Sequence, residues 1–464
     1  MNVVSEIHAA NTAVLELPSD LVAYGSPVPD SSKLHYYARY FGDPLSRIFW
    51  RDEQLCIGVL PPHGKEAVRL LKSQVVAELF AEKLFAELLN EPIAVEGFEV
   101  AFQLACVPRI TYWHEWSPKM WRAAALRMIK LLVKLAKHSF TLRNPHPWNL
   151  LFDGKQFSYL NPCSIVPLES AVFGRSYEKI ARFFVRPLLL LEYGFEHLAK
   201  RLAADVSEGV CSEDVRHLDC SWAEWRQEPG EDRVLPFLEQ LSTRIDSLKC
   251  VSTKHRWHDY FTKDCDFSPG TSWSRKQEVL ELLLQDRTIR SVLDLGANAG
   301  HYARIAATTG REVIATDFDS VLVDTIFQHT QENRLALYPA VLDFTHPSPG
   351  QGVAFDWFPP AAKRFQSDLV LCFALMHHMV LGKYRLDFEQ VAKGVRSFAR
   401  HRVLFEYVGK ERLRLYANRP EAEAWYTVEH MAEALGRHFD SVEVLPPAKD
   451  GRQLIICVLR SIRS

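Results

Sequence analysis

The chain has 464 residues, of which 47% are hydrophobic and 24% charged, and its formal net charge is −2 at pH 7. This composition is typical of a globular protein with two or three domains. A charge so close to neutral provides no basic field for nucleic acid, and no apolar run approaches the ~20 residues that cross a bilayer. Nucleic-acid partners and membrane insertion are therefore excluded from the expected functions.

The N-terminal segment and the cysteines predict the cellular compartment. Residues 1–30 are loosely patterned, and they lack the basic start and apolar core of a secretory signal. Nine cysteines are scattered without a C-x-x-C pair, which is typical of reduced thiols and argues against a zinc ribbon or a disulfide frame. We expect a cytoplasmic protein that holds no metal.

Helical periodicity dominates the first half of the chain. It predicts helices over Lys65–Asn90, Pro118–Ser139, Tyr177–Ala204 and Val234–Leu248. Pro187 is expected to kink or end the third of these. Residues 205–233 are more polar and contain a Pro-Gly pair, which indicates a surface connection. We assign residues 31–250 to an N-terminal accessory domain of the α+β class.

After about Trp257 the pattern changes to short apolar strands separated by helical segments, which indicates βαβ units and a parallel sheet. The strands are predicted at Ser291–Leu295, Glu312–Thr316, Leu337–Leu342, Asp368–Phe373 and Arg402–Tyr407. Residues 441–461 predict a terminal antiparallel hairpin that turns at Asp450-Gly451. A Rossmann-like α/β sheet with this ending resembles the class I S-adenosylmethionine (SAM) methyltransferase fold, which we assign to residues 251–464.

A glycine-containing turn follows the first of these strands. Its Gly296, Ala297, Asn298 and Gly300 are candidate cofactor contacts, because glycine lets the backbone approach a ligand closely. The spacing is G-x-x-x-G, whereas a dinucleotide site cradles its pyrophosphate with three glycines. Asp294 precedes the turn and would repel a diphosphate, and the turn contains no lysine or arginine to compensate. The pattern therefore favours SAM over NAD.

Acidic residues close the first two strands, where a cationic cofactor would need them. Asp294 can pair with the amino group of SAM, directly or through water. Asp317 can accept both ribose hydroxyls, and its neighbour Phe318 is included among the cofactor contacts. Asp319 competes with Asp317 for the ribose role. Each acid alone is more typical of a helix cap, so the argument depends on their spacing along successive strands.

The third and fourth strands add aromatic and polar contacts. After strand three, Asp343 is a candidate partner for the adenine amino group, and Phe344 for stacking on the ring. Asp343 alone is more typical of a helix N-cap. Phe373, at the end of strand four, completes the predicted cofactor site.

Two adjacent histidines follow strand four, beside the expected methyl donor. In an open α/β sheet, ligands bind at these strand ends, and an imidazole there can take a proton from an acceptor hydroxyl or amine. We favour His378 as the base, with His377 shaping the donor pocket. A single histidine at such a place more often packs or bonds the backbone. Glu406, at the end of strand five, is expected to orient the acceptor.

A basic segment follows strand five. An acidic acceptor would find cations at Lys410, Arg412, Arg414 and Arg419. The commoner explanation is a solvated helix face.

Several motifs together resemble a bacterial group of class I SAM-dependent methyltransferases with a large extra N-terminal domain, often described as nodulation-protein-like. The similarity is carried by "SVLDLGANAGHYARIAA", "IATDFD" and "LVLCFALMHHMVL", and upstream by "YWHEWSPKMWRAAALRMIKLL". It extends from about Arg109 through most of the chain. The resemblance implies methyl transfer to oxygen on a small metabolite or glycan.

The segment "LRNPHPWNLLFDGKQFSYLN" is similar to the catalytic segment of aminoglycoside-phosphotransferase-like kinases. The resemblance implies that Asn144 and Asn161 stand where those kinases have aspartates, while Asn149 is retained. Neutral amides cannot supply the charge of a magnesium site, so a kinase-like fold would have lost its chemistry. The competing interpretation is that His146, Trp148 and Asn149 form only a turn and its packing.

Three aromatic residues, Trp257, Tyr260 and Trp273, precede the first strand. They either form a lid over SAM or serve as core or interface aromatics, and the sequence favours the second role. For the activity, an N-methyltransferase, a SAM-binding regulatory protein without catalysis and an active kinase–methyltransferase fusion compete with the O-methyltransferase. The sequence does not fix the oligomeric state, and a homodimer is compatible with it.

Overall fold

The structure is a computed structural model. It describes residues 35–36, 43–51, 54–89, 91–105, 109–218, 230–249, 273–355 and 357–460. The chain divides into two compact units, with the main boundary between residues 252 and 253. Glu115–Ser117 belongs to the second unit and Gln351–Phe358 to the first. In the described ranges, no helix combines the length and the apolar character that crossing a membrane requires.

The described strands of the first unit are short and antiparallel. They are β1 (His35–Tyr36), β2 (Ser46–Arg51), β3 (Gln54–Val59), β4 (Val100–Gln103), β5 (Phe140–Leu142), β6 (Leu150–Phe152), β7 (Phe157–Tyr159) and β8 (Ile165–Pro167). Strands β1 to β4 form one sheet in chain order, β5 pairs with β8, and β6 pairs with β7. Together with the helices they give the predicted α+β unit.

The described helices of the first unit surround these strands. They are α1 (Gly64–Leu71), α2 (Gln74–Ala81), α3 (Pro118–Ala136), α4 (Ser170–Ile180), α5 (Arg186–Glu192), α6 (Glu196–Ala203), α7 (Ser212–Val215) and α8 (Val234–Asp246). Helix α3 buries an apolar face that includes Trp121, Met128 and Leu132 at helical spacing. The Trp121 indole donates to the backbone oxygen of Phe183 at 2.9 Å, so this buried aromatic is also satisfied as a donor.

The prediction of one continuous helix over Lys65–Asn90 is wrong. Ser73 adopts an extended conformation between α1 and α2, and its side chain accepts a bond from the backbone N–H of Val76. A serine in this geometry caps a new helix rather than continuing the old one. The second helix ends at Ala81, and Lys83 has a positive φ of 53°.

The predicted helix over Tyr177–Ala204 is also divided. A π-helical turn over Ala181–Val185 joins α4 to α5, and Pro187 occupies the first turn of α5. Val185 and Arg186 have right-handed helical dihedrals, so the chain does not break before Pro187, and the π-helical turn accompanies the proline. Gly194, with φ of +80°, then separates α5 from α6.

The second unit is built on one seven-stranded sheet. Its strands are β9 (Ser291–Leu295), β10 (Glu312–Asp317), β11 (Leu337–Val341), β12 (Ser367–Cys372), β13 (Ala399–Tyr407), β14 (Ser441–Val444) and β15 (Gln453–Val458). Their order is β11-β10-β9-β12-β13-β15-β14. Strands β9 to β13 are parallel, while β15 runs antiparallel to both β13 and β14. The predicted parallel sheet with a terminal antiparallel hairpin is confirmed.

Helices pack against this sheet, and its central strands β9 and β12 are buried along their whole length. The helices are α9 (Arg275–Leu284), α10 (His301–Thr308), α11 (Ser320–Asn333), α12 (Ala361–Arg364), α13 (Met376–Leu381), α14 (Phe388–Arg396) and α15 (Val428–Gly436). Every residue of β9 is buried. The strand order reverses between β9 and β12, and ligands of open α/β sheets bind at such a switch point.

Candidate active site

The glycine turn after β9 has no backbone donor to offer to a phosphate. All five backbone N–H groups of Gly296–Gly300 donate within the protein. The acceptors are Thr316 O (twice), Asp317 Oδ2, Asn298 Oδ1 and Ala297 O, at 2.8 to 2.9 Å. A pyrophosphate cradle needs such N–H groups aimed at the ligand. The turn therefore does not fit a dinucleotide, as its acidic flank predicts.

The two glycines of the turn serve different purposes, although both have positive φ, +74° at Gly296 and +81° at Gly300. A Cβ at Gly300 would lie 3.0 Å from Cγ1 of Ile326, so this glycine allows α11 to pack closely. A Cβ at Gly296 would meet only Leu375, at 4.0 Å. Gly296 is exposed and leaves open space at the mouth of the turn. The side chain of Ala297, by contrast, packs into the core.

Asp294 is a buried carboxylate with an unsatisfied oxygen. Its residue is 1% exposed, and Oδ2 has no hydrogen-bond partner among the described residues. Burial is the main cause that raises the pKa of Asp294 to about 7, and the charge of Asp317 adds to it. A hydrogen bond from the Ala303 backbone and the charge of Lys276 act in the opposite direction.

Among the described residues, Oδ2 of Asp43 and of Asp319 also lacks a partner, but Asp43 pairs with Arg143 and Asp319 caps α11. No ion pair holds Asp294 among the described residues, which suits a ligand that brings a cation.

The next strand end distinguishes two neighbouring acids. Asp319 caps α11, because its side chain accepts from the backbone N–H of Val321 at 2.9 Å. Asp317 accepts from the N–H groups of Asn298 at 2.9 Å and Asp319 at 3.0 Å. Burial raises the pKa of Asp317 to about 6. Asp317 ends β10 itself and is kept as the ribose candidate, while Oδ2 of Asp319 also lacks a partner among the described residues.

Asp343 and Phe344, the predicted adenine contacts, differ in their exposure and in their neighbours. Asp343 accepts from both the N–H and the hydroxyl of Thr345, at 2.8 and 2.7 Å, and its side chain is 41% exposed. The half-buried ring of Phe344 lies against α14, where a Cβ on Gly394 would be 2.8 Å from Cζ. Phe318, beside the ribose candidate, is 58% exposed. Its ring is therefore the more accessible of the two for stacking.

The two histidines lie on α13, directly after β12, with ring centroids 4.1 Å apart. His377 is buried, and its Nδ1 has no hydrogen-bond partner among the described residues. Burial, together with His378, Arg452 and Lys276, lowers the pKa of His377 to about 3. His378 is half-buried. The two imidazoles are thus placed side by side at the expected strand end, in different environments.

Glu406 is held by the protein itself. It is fully buried, and Oε2 accepts from the N–H of Ala374 at 2.8 Å. Oε1 lies 2.8 Å from the Arg452 guanidinium and 3.2 Å from the Lys276 ammonium. These contacts favour a positioning role over the predicted contact with the acceptor, because both oxygens are already engaged.

Lys276 and Arg452 are absent from the sequence-based site. Lys276 lies on α9, and its ammonium is 5.2 Å from the ring centroid of Tyr302 and 5.4 Å from that of Phe373. Phe373 is itself buried against Tyr302, with centroids 4.6 Å apart. A lysine in an amphipathic helix looks like a surface residue in sequence, so only the fold reveals its position.

The basic segment after β13 is not a uniform cationic surface. Arg419 donates to the backbone oxygens of Val380 at 2.6 Å and Leu386 at 3.0 Å, and so fixes the end of α13. Lys410 donates to the Glu423 backbone at 2.9 Å. The remaining two cations, Arg412 and Arg414, are exposed. Binding of an acidic acceptor here stays a prediction.

The first unit gathers the residues of the kinase-like segment into a first-unit polar cluster. Its members are Asp43, Ser46, Arg143, Asn144, Asn149, Asn161 and Lys179. The Lys179 ammonium donates to Asn144 Oδ1 at 2.7 Å, and Asn161 donates to the Ser46 hydroxyl at 2.8 Å. Asn149 donates to the Asn144 backbone at 3.2 Å. Asn144 and Asn149 are thus bonded directly, whereas Asn161 bonds Ser46, and the kinase-like interpretation stays a prediction.

The aromatics around the proposed lid and turn are largely core residues. Trp257 and Tyr260 lie outside the described residues. Trp273 is partly buried and packs against the core of the second unit. His146 is fully buried in the first unit, with its ring centroid 4.1 Å from that of Trp148. His146 and Trp148 therefore have the packing role that the competing interpretation gives them.

The sheet order and the terminal hairpin give the second unit the class I SAM-dependent methyltransferase fold, with acids at the ends of β9 and β10. The predicted class I methyltransferase fold is confirmed. No protein-family model matches the chain. The chain is similar to the nodulation protein NoeA of Rhizobium meliloti (strain 1021), with 27% identity over 365 residues, which cover 71% of this chain and 75% of that protein.

Solved structures show weaker likenesses. The bifunctional kinase-methyltransferase WbdD matches with 14% identity over 45% of this chain and 43% of that chain, less than half its length, at a TM-score of 0.32. The magnesium protoporphyrin IX methyltransferase ChlM of Synechocystis PCC 6803, with bound S-adenosylhomocysteine, matches with 13% identity over 42% of this chain and 91% of that chain, at 0.28. At these TM-scores the likeness carries no information about substrates.

Proposed function

We propose that this protein binds SAM in the second unit and transfers its methyl group to a hydroxyl of a small metabolite or glycan. The observation that carries the proposal is the unsatisfied, buried Oδ2 of Asp294 beside a turn that offers no donor to a phosphate. A similar protein is named a nodulation protein, which supports a biosynthetic role.

The donor fits the residues at the ends of β9 and β10. SAM carries an ammonium and a sulfonium but no phosphate, so it suits a carboxylate-lined, donor-poor turn. Asp294 would hold the ammonium through a charge-assisted hydrogen bond. Asp317, anchored by two backbone N–H groups, would accept the ribose hydroxyls. The open space at Gly296 would receive the amino-acid part of the donor.

The aromatic contacts of the donor are reassigned in this proposal. Phe318 would stack on the adenine, because its ring is exposed beside the ribose candidate. Asp343 keeps its role at the adenine amino group, with Oδ1 already held by Thr345. Phe344 would support the pocket from the α14 side.

The reaction is an in-line displacement, in which the acceptor oxygen forms a bond to the methyl carbon as the carbon–sulfur bond breaks. Positioning of donor and acceptor supplies much of the rate. A neutral hydroxyl must also lose its proton, and an efficient base has a pKa near the working pH. The pKa of His377, about 3, makes it a weak base. His378, half-buried on the same helix, would take the proton.

The test compares His378→Gln with the matched control His377→Gln, using radiolabelled SAM and a panel of sugar and phenol acceptors. Loss of the base is expected to lower kcat by about 100-fold or more, with the affinity for S-adenosylhomocysteine unchanged. The His377 variant should retain more activity. Unchanged turnover in His378→Gln would favour an amine acceptor, which arrives unprotonated. Donor binding without turnover on any acceptor would favour a regulatory protein.

A further inference from the structure

Near the proposed donor site, both nearby cations pair with one buried carboxylate and neither pairs with the other. Two buried carboxylates, Asp294 and Glu406, lie near two cations, Lys276 and Arg452. Both cations pair with Glu406, at 3.2 and 2.8 Å, and Arg452 also pairs with Asp450 at 3.1 Å. Within the described ranges, Oδ2 of Asp294 has no partner. A buried carboxylate normally has its own counter-ion, so this division needs an explanation.

Lys276 is the cation that could have paired with Asp294. Its charge acts on Asp294, where it lowers the pKa against the effect of burial. The ammonium instead lies beside Glu406, with the rings of Tyr302 and Phe373 5.2 and 5.4 Å away. Ring faces attract an ammonium and help to hold it there. A long and flexible lysine side chain would reach for another carboxylate if Glu406 lost its charge.

We propose that Glu406 is a positioning residue that retains Lys276 and Arg452, and thereby leaves Asp294 unpaired for the ammonium of the donor. This inference rests on the proposed function, since it assigns a partner to Asp294. Glu406 also holds the N–H of Ala374, which has a positive φ of 52° just before α13. One buried carboxylate therefore organises both the donor side and the histidine helix.

The ionisable groups that face Asp294 come from three elements. They are Asp317 on β10, Lys276 on α9 and Cys372 on β12. Burial raises the pKa of the Cys372 thiol, so it stays neutral. Asp317 acts in the same direction as burial, and Lys276 is the cation of the set. A change in the pH dependence of donor binding is therefore expected to follow the position of Lys276.

The experiment measures the affinity of the full chain for S-adenosylhomocysteine by calorimetry at pH 6 and pH 8. Glu406→Gln keeps the size of the side chain and an acceptor for Ala374, but removes the charge. We expect about tenfold weaker binding or more at pH 8, because Lys276 now competes for Asp294. The rise in affinity from pH 6 to pH 8 should become smaller, because the lysine lowers the pKa of Asp294.

The double variant Glu406→Gln/Lys276→Met provides the discriminating arm. Methionine has a similar length but no charge, so affinity is expected to recover at least threefold over the single variant and to regain its pH dependence. A purely structural role for Glu406 would not be rescued by removing a second partner. Equal weakness of the single and double variants would overturn the inference, as would wild-type binding in Glu406→Gln. Absence of binding in the wild-type chain would instead overturn the proposed function.

Discussion

Each unit contains a buried carboxylate, and the two differ in how the protein neutralises them. The side chain of Asp43 in the first unit is fully buried, pairs with Arg143 and accepts from the backbone N–H of Leu45 at 2.9 Å. Asp294 in the second unit has no such cation among the described residues. Burying an ion is unfavourable unless it is paired, so an unpaired carboxylate indicates a place for a ligand.

The other charged groups of the first-unit polar cluster are also paired within the unit, unlike Asp294. Lys179 bonds Asn144, and Arg143 bonds Asp43, so its cations are directed inward, to groups of the same unit. Burial lowers the pKa of Lys179 and raises that of Asp43. The positions at which the resembling kinases hold aspartates are neutral amides. These contacts support the prediction that a kinase-like lobe has lost its metal site.

The largest expected effect is on the stability of the first unit. Asp43→Ala removes the buried partner of Arg143, which is itself largely buried, and should lower the free energy of unfolding by about 2–4 kcal/mol. Urea denaturation checks this. The affinity for S-adenosylhomocysteine should stay unchanged, which separates the two units. An unaltered urea midpoint would show that the pair contributes nothing, and the contrast with Asp294 would fail.

Neutralising the carboxylate of the second unit, by Asp294→Asn, should have the reverse effect on stability. Asp294→Asn should weaken binding of S-adenosylhomocysteine by about 30- to 100-fold, because a charge-assisted bond to the ammonium is lost. The folded pKa of Asp294 lies above its unfolded value, so its ionisation removes stability as the pH rises toward 7. The variant is therefore expected to gain about 1–3 kcal/mol of unfolding free energy at pH 8.

Calorimetry of Asp294→Asn tests the expected loss of affinity, and urea denaturation of the same sample tests the expected gain of stability. Asp319→Asn is the matched control, since asparagine also caps helices and Asp319 is assigned no contact with the donor. A control that binds as poorly as Asp294→Asn would contradict the assignment of the ammonium to Asp294. A loss of stability in Asp294→Asn would contradict the unpaired state of the carboxylate.

The comparison also shows which parts of the site a sequence can predict. The acids at Asp294 and Asp317 follow from local spacing, because parallel strands bring their carboxyl ends to one edge of the sheet. The sequence cannot tell Asp317 from Asp319, since that distinction depends on which side chain bends back to cap α11. Nor can it place Lys276 and Arg452 beside Glu406, because their contact joins a helix and a hairpin that are distant in the chain.

Helix boundaries in the first unit failed for a related reason. The apolar periodicity of Lys65–Asn90 is genuine on both sides of Ser73, yet one side-chain bond from Ser73 starts a new helix. Apolar periodicity describes the buried face of a helix and gives no information about a side-chain hydrogen bond that ends one helix and starts the next. The strands of the second unit agree with the prediction to within a few residues, because β9 to β12 are buried along nearly their whole length and form short apolar runs.

A smaller effect is expected from pH. If the donor's ammonium requires ionised Asp294, whose pKa is about 7, then binding of S-adenosylhomocysteine should weaken by about tenfold from pH 8 to pH 6. The sign follows from the raised pKa, since a protonated carboxyl at pH 6 must first lose its proton. Calorimetry in buffers of different ionisation enthalpy should also detect proton release near pH 7. Equal affinity at both pH values would mean that Asp294 is already ionised or takes no part.

The smallest expected effect is the loss of unfolding free energy when a glycine of positive φ in each unit is replaced by alanine. Gly194 in the first unit and Gly300 in the donor turn have φ of +80° and +81°, so alanine is strained equally at both. A Cβ at Gly194 meets nothing within 4 Å, whereas at Gly300 it meets Ile326 at 3.0 Å. Gly194→Ala should therefore cost about 1 kcal/mol of unfolding free energy, and Gly300→Ala about 1 kcal/mol more. Equal losses in urea denaturation would show that Ile326 yields, and that Gly300 is required for its conformation rather than for the close packing of α11.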